Sequence, residues 1–254
     1  MAGPMEKRVT SGRVNAATLT EQLEEAIRVD ILEGVLAPGQ RIRANEMSEH
    51  YGVSATPLRE ALQRLAVKKL VDIDPRLGAS VAPISEEDLT DIYDMLSLLD
   101  GLALERSIQR GDDAWLARME LTFANLSDQI KRQEAITAST SDEMRRAIGL
   151  ALSDAHSSFH EALYSACDST WLMHFVDQLR KHAERYRMLT MMHTSDGGII
   201  RNSRQEHEEI YEAARRRDAK GAVSALRRHM AKTVDLLKAG VAEHASSLVP
   251  SGTS

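Results

Sequence analysis

A single cysteine, Cys167, among 254 residues means that the chain can close no disulfide within itself. No run of about 18 apolar residues interrupts it, so a membrane-spanning helix and a membrane partner are not expected. The opening stretch, MAGPMEKRVTSGRVNAATL, lacks the apolar core of a secretory signal, and the expected location is cytoplasmic. Net positive charge is missing too: the formal total is −6. Its distribution is uneven, however. Through Ile84 there are 11 Lys+Arg against 11 Asp+Glu, which leaves 21 against 27 for the remainder. An acidic second part repels nucleic acid, so any DNA contact belongs to the first. There is no nucleophile motif and no phosphate-cradling glycine loop, which counts against an enzyme. With 43% hydrophobic and 28% charged residues the composition is that of a folded globular protein, long enough for one large or two ordinary domains.

What is present begins with Ala44 to Arg64, ANEMSEHYGVSATPLREALQR. It predicts a helix over Asn45 to Tyr51, a turn at Gly52-Val53, and a second helix opened by Ser54 or Thr56 as N-cap with Pro57 in its first turn. Leu58, Ala61, Leu62 and Leu65 share one face of that helix, while Thr56, Arg59, Gln63 and Arg64 point elsewhere. A helix anchored on one side and carrying donors on the other suits the DNA major groove. From Tyr51 to Lys69 four basic residues stand against one acidic, so the local patch is basic although the chain is not.

A hairpin follows directly: Leu70 to Ile73 as a strand, Asp74-Pro75-Arg76-Leu77-Gly78 as a turn, and Ala79 to Ala82 as a second strand. Gln40 to Arg43 can pair with it, and the helix before it runs from Thr18 to Glu33, with a capping box of Thr18 and Glu21 and an apolar face of Leu19, Leu23, Ile27 and Ile31. Residues 14–84 thus read as a winged helix-turn-helix whose wing tip carries Arg76 and Gly78. Beyond Ser85, itself an N-cap with Asp88, the pattern is helical throughout. Helices are expected near 86–110, 113–131, 141–166, 169–189, 201–217 and 218–242, with a break at Thr194 to Gly198. This is an all-α six-helix bundle over residues 85–245, and the ends, 1–13 and 246–254, are expected to be loose.

The bundle carries a second constellation. His156 and His160 are four apart on one helix face, His207 lies on the fifth bundle helix and His229 on the sixth. Four imidazoles converging from three helices would suit a divalent transition metal such as Zn, Ni or Co. The other five histidines form no such pattern.

The segment LAPGQRIRANEMSEHYGVSATPLREALQRLAVKKLVDIDPRLGASV resembles the winged-helix domain of GntR-family transcription regulators through Val53-Ser54, Thr56-Pro57, Arg59-Glu60-Ala61-Leu62 and Gly78. The bundle resembles the FCD effector domain of the FadR-type subfamily through Phe159 to Leu163, Glu206-His207 with Ile210, Asp218, Ala222 and His229-Met230. The resemblance implies a homodimer that binds a short palindromic operator on double-stranded DNA, a repressor controlled by a small organic acid next to a metal. DNA contacts would be Asn45, Ser54, Thr56 and Arg59, with Arg76 and Gly78 at the wing; Arg64 joins them for its exposed position. The metal positions of the family fall on His156, His160, His207 and His229.

Three residues depart from the family pattern. Ala55 stands where arginine is common, which removes a strong donor to DNA. His156 replaces the usual aspartate ligand and makes the set all-histidine. Leu96 occupies the place of an arginine that commonly meets an effector's carboxylate; Arg185, or Arg187 beside it, is the candidate to take that role. Two other classes compete: a metal sensor, and a metal-dependent helical enzyme for which Asp154 and Glu206 would be the only nearby bases.

Overall fold

The computed structural model describes residues 18–32, 34–137, 139–193 and 203–247, which fall into two compact units. The first holds α1 (Leu19–Leu32), β1 (Arg41–Ile42), α2 (Ala44–Tyr51), α3 (Ala55–Val67), β2 (Val71–Asp74) and β3 (Gly78–Val81). The expected capping box starts α1: the Thr18 N–H donates to Glu21 Oε2 at 2.8 Å and the Glu21 N–H donates to Thr18 Oγ1 at 3.2 Å. Leu23, Ile27 and Ile31 are buried, but Leu19, at the helix start, is exposed. From α3, Leu58, Ala61, Leu62 and Leu65 complete this small core.

The three strands are antiparallel in the order β1-β3-β2, with Arg41 opposite Ser80 and Val71 opposite Val81. The hairpin strands are shifted by one residue from the expected bounds, and the turn explains it. Asp74 Oδ1 accepts from the Arg76 and Leu77 N–H groups at 2.6 and 2.8 Å, and Gly78 takes φ +85°, where a side chain would strain the backbone.

The second unit contains six helices among the described residues, in the predicted order: α4 (Glu86–Arg110), α5 (Asp113–Glu134), α6 (Asp142–Tyr164), α7 (Thr170–His193), α8 (Arg204–Arg215) and α9 (Ala219–Ser247). Side-chain caps open three of them: Ser85 accepts from the Asp88 N–H at 3.0 Å, Asp112 from Trp115 at 2.9 Å, and Ser141 from Met144 at 3.3 Å. Helix α9 continues through Ser247, past the expected end at Ala242. The remaining tail residues, the expected break at Thr194 to Gly198 and the expected helix start at Arg201 lie outside the described residues. Among the described residues no helix is long and apolar enough to cross a membrane.

Helix α5 packs along α6, α4 along α7 and α9, and α8 along α9. Phe159, Leu163, Met119, Leu104 and Leu226 are fully shielded, and each such burial contributes about 1.5–3 kcal/mol. Gly101 permits the close approach of α4 and α9, since a Cβ there would lie 3.3 Å from Val223 Cγ1. Trp115 of α5 donates its indole N–H to the Ala162 carbonyl of α6 at 3.0 Å, which satisfies the polar atom of a buried ring. This packing turns the histidine-bearing faces of α6, α8 and α9 toward one another.

Candidate functional site

In the first unit the candidate DNA contacts sit on α2, α3 and the hairpin. Gly52, with φ +64°, ends α2: its N–H donates to the Glu49 carbonyl at 3.2 Å, and the Val53 N–H donates to the Ser48 carbonyl at 3.0 Å. Of the two N-cap candidates Ser54 holds the position, and its hydroxyl makes no capping hydrogen bond. The first N–H groups of α3 therefore lack a side-chain cap, an arrangement suited to a phosphate. Asn45, Ser54, Thr56, Arg59, Arg76 and Gly78 are all exposed.

Arg64 is exposed as well, but its guanidinium is 3.6 Å from Glu24 and 3.7 Å from Glu21, both on α1. It follows Arg59 by five residues, about 140° around the helix, so it leaves α3 on the side of α1. Lys68 is bonded to Glu24 too. Both reach toward Glu24 of α1, and each keeps about half of its side chain exposed. Arg41, which carries no motif signal, donates to the Leu77 carbonyl at 3.0 and 2.6 Å and fixes the wing tip.

In the second unit His156 and His160, one turn apart on α6, meet His207 of α8 and His229 of α9. One ring nitrogen from each lies within 4.8 Å of the others. His160, His207 and His229 are buried and His156 is partly so. The other nitrogens of His160, His207 and His229 are held from behind. His207 Nδ1 is 2.8 Å from the Ser203 carbonyl, His229 Nδ1 is 2.8 Å from Glu206 Oε2, and His160 Nδ1 is 3.3 Å from the Tyr164 hydroxyl. A carbonyl only accepts, so His207 carries its proton on Nδ1 and keeps the Nε2 lone pair for a ligand. Glu206 is braced in turn by Lys232 at 2.9 Å.

His156 Nδ1 and His160 Nε2 are buried with no hydrogen-bond partner among the described residues. Leaving a buried polar atom unsatisfied costs about 1–3 kcal/mol, and a cation would satisfy both. Burial, reinforced by His160 and Arg187, holds His156 well below the ordinary imidazole range; burial with His207 and His229 does the same to His160. Both are thus neutral at pH 7, the form that ligates a metal. Metal–nitrogen bonds of about 2.0–2.1 Å set ligand atoms roughly 3–4 Å apart, which small rotamer adjustments would reach from here. The donor set fits Zn, Ni or Co. Neither nearby carboxylate is placed as a base: Glu206 is engaged by His229 and Lys232, and Asp154 is exposed.

A cavity of about 580 Å³ opens beside the cluster, with His156, His160 and His229 in its wall. That size accommodates a small metabolite. Arg185 does not line it. Arg180 and Arg187, two turns apart on α7, share the cavity face, whereas Arg185 is buried on another side of the helix. Nothing among its neighbours in sequence marks Arg180. Its Nη2 is 3.0 and 3.1 Å from the Asp100 carboxylate oxygens, and its guanidinium carbon stands 4.6 Å over the Tyr164 ring. The Tyr164 hydroxyl donates to Asp100 Oδ2 at 3.3 Å. Burial pushes the Asp100 carboxyl up, against the pull of Arg180. A bonded path therefore runs from His160 through Tyr164 and Asp100 to Arg180. Leu96 is in the cavity wall, 3% exposed.

Comparisons with known proteins agree with this division. Residues 19–81 match the family model for bacterial regulatory proteins of the gntR family, and residues 91–232 match that for the FCD domain. The uncharacterized HTH-type transcriptional regulator BphR of Paraburkholderia xenovorans (strain LB400) is 33% identical over 226 residues, covering 88% of this chain and 87% of the relative. The HTH-type transcriptional repressor GlaR of Escherichia coli (strain K12) is 27% identical over 217 residues, 85% of this chain and 94% of the relative. The gluconate operon transcriptional repressor of Bacillus subtilis (strain 168) is 25% identical over 165 residues, 65% of this chain and 62% of the relative. Among solved structures, E. coli McbR/YncC aligns with a TM-score of 0.64 at 20% identity, over 87% of this chain and 98% of that one, a likeness of fold.

Proposed function

The chain belongs to the GntR family of bacterial regulatory proteins, with an FCD domain as its second part, and we propose that it is a repressor whose hold on a palindromic operator is set by a small organic acid bound beside a divalent metal. It is a DNA-binding transcription regulator and not an enzyme, as family and relatives agree, and two of those relatives are named repressors. The observation that carries the effector reading is the set of four histidines, three of them held from behind by Ser203, Glu206 and Tyr164 and three of them in the wall of a cavity of metabolite size.

In this reading Arg59 and Thr56 approach base edges, Ser54 and the start of α3 take a phosphate, and Arg76 with Gly78 follows the backbone beside the groove. A metal held by the four imidazoles would supply a Lewis-acid position for a carboxylate oxygen, and the Arg180–Asp100 and Arg187–Glu184 pairs stand in the wall of the same cavity. Dimerisation uses the outer side of the bundle. Met95, Leu98 and Leu102 form an exposed apolar stripe on α4, and Trp171 and Phe175 are exposed on α7, which packs along α4. Two-fold pairing there gives two winged helices for the two halves of a palindrome.

The test is binding to a DNA fragment from upstream of the protein's own gene, against scrambled DNA, by wild type and Arg59→Ala. The proposal expects sequence-dependent binding that the variant loses while keeping its melting temperature and metal content. Equal binding of both fragments by wild type would contradict it. DNA affinity that follows metal alone, with no acid able to change it, would favour the metal sensor.

A further inference from the structure

We propose that this cavity selects a monocarboxylic acid with an apolar body, and not a dicarboxylate or a sugar acid; the inference rests on the effector reading above and deepens it. Charge and wall chemistry both lead there.

Every cation of the described lining already has a carboxylate. Arg180 is paired with Asp100 at 3.0 Å, Lys181 with Asp177 at 2.6 Å and Arg187 with Glu184 at 3.4 Å, and Glu161 adds a fourth acid to the wall. The Lys181–Asp177 pair and Glu161 are exposed and screened by solvent. Farther in, Arg180 and Arg187 are offset by Asp100 and Glu184, so the protein brings no surplus positive charge to the ligand. The four histidines are neutral ligands and neutralise none of a metal's charge. A first carboxylate meets that charge directly at the metal. A second carboxylate, at the end of the ligand away from the metal, would be desolvated beside Leu96 and cations of the described lining that already have carboxylate partners.

Much of the rest of the wall is apolar: Leu96, Leu126, Leu152, Met173, Val176 and Met230. Of the hydroxyls there, Thr233 is already bonded to the His229 carbonyl at 3.0 Å, which leaves Tyr93, Ser153, Ser157 and Ser203. That is too few for the several hydroxyls of a sugar acid, each of which would lose water on entry. Methylene or aryl groups lose nothing by entering.

Isothermal titration calorimetry on the full chain loaded with Zn²⁺ tests this, using butanoate, hexanoate, octanoate and phenylacetate against glutarate and gluconate. The expected affinity climbs about fourfold per added methylene. It should place octanoate and phenylacetate above glutarate and gluconate. Leu96→Arg, checked for folding by circular dichroism, should weaken octanoate and strengthen glutarate; if it fails to fold, the wild-type ranking decides alone. Glutarate or gluconate binding tighter than octanoate, or a flat series, overturns the inference and leaves the effector site standing. Binding of none of the acids overturns both.

Discussion

Arg59 and Arg64 are exposed arginines of the same helix with the same chemistry, yet Arg64 is engaged by Glu21 and Glu24. Arg59→Ala is therefore expected to remove sequence-dependent DNA binding, while Arg64→Ala should change DNA affinity far less and lower stability by about 0.2–1 kcal/mol, the worth of an exposed pair. Fluorescence anisotropy on one DNA fragment, with thermal melts of both variants, checks the difference. Equal loss of DNA binding would return Arg64 to the contact surface. At the histidines, Glu206 touches no proposed ligand position but holds His229 Nδ1. Glu206→Gln should lower metal affinity about 10–100-fold, measured by chelator competition, with the fold intact. The four histidines are legible because helical spacing pairs His156 with His160, and His207 and His229 fall on the last two bundle helices, where the family resemblance also points. Arg180 is not, because its partner Asp100 is 80 residues away and nothing local marks the pair. Of the two candidates Arg187 lines the cavity and Arg185 does not, because two positions along a helix change the face by more than 100°, a rotation that pattern alone does not fix.

Helix starts were the most legible elements. Thr18, Ser85, Asp112 and Ser141 all cap where polar side chains precede apolar periodicity, since capping is satisfied within one turn of chain. Strand bounds moved by one residue because Asp74 and Gly78 decide the hairpin turn, and helix ends such as Ser247 depend on packing that sequence does not display. The meeting of α6, α8 and α9 is likewise tertiary, and a metal there would tie three helices together. Stripping the metal should lower the melting temperature, and His207→Ala should abolish that difference, since binding to the folded state alone adds stability. A melting temperature indifferent to chelator would count against a structural role for the site. Gly101→Leu, which forces α4 from Val223 of α9, should destabilise by about 1–3 kcal/mol in a denaturant melt.

For the whole molecule, a net charge of −6 with a neutral first part requires that DNA be held by a small local set of contacts. Two such sets in one dimer would compensate. Leu98→Asp on the exposed stripe of α4 should yield monomers by light scattering, with DNA affinity reduced accordingly. A persistent dimer would move the interface elsewhere. The central claim is that the histidine-lined cavity and the winged helix share one equilibrium. Its most direct test is reciprocal: DNA affinity of the Zn²⁺-loaded protein with and without a saturating carboxylic acid, and acid affinity with and without DNA. The account predicts that acid weakens DNA binding and that DNA weakens acid binding by the same factor, as linkage demands. Acid that binds while DNA affinity stays unchanged would contradict it.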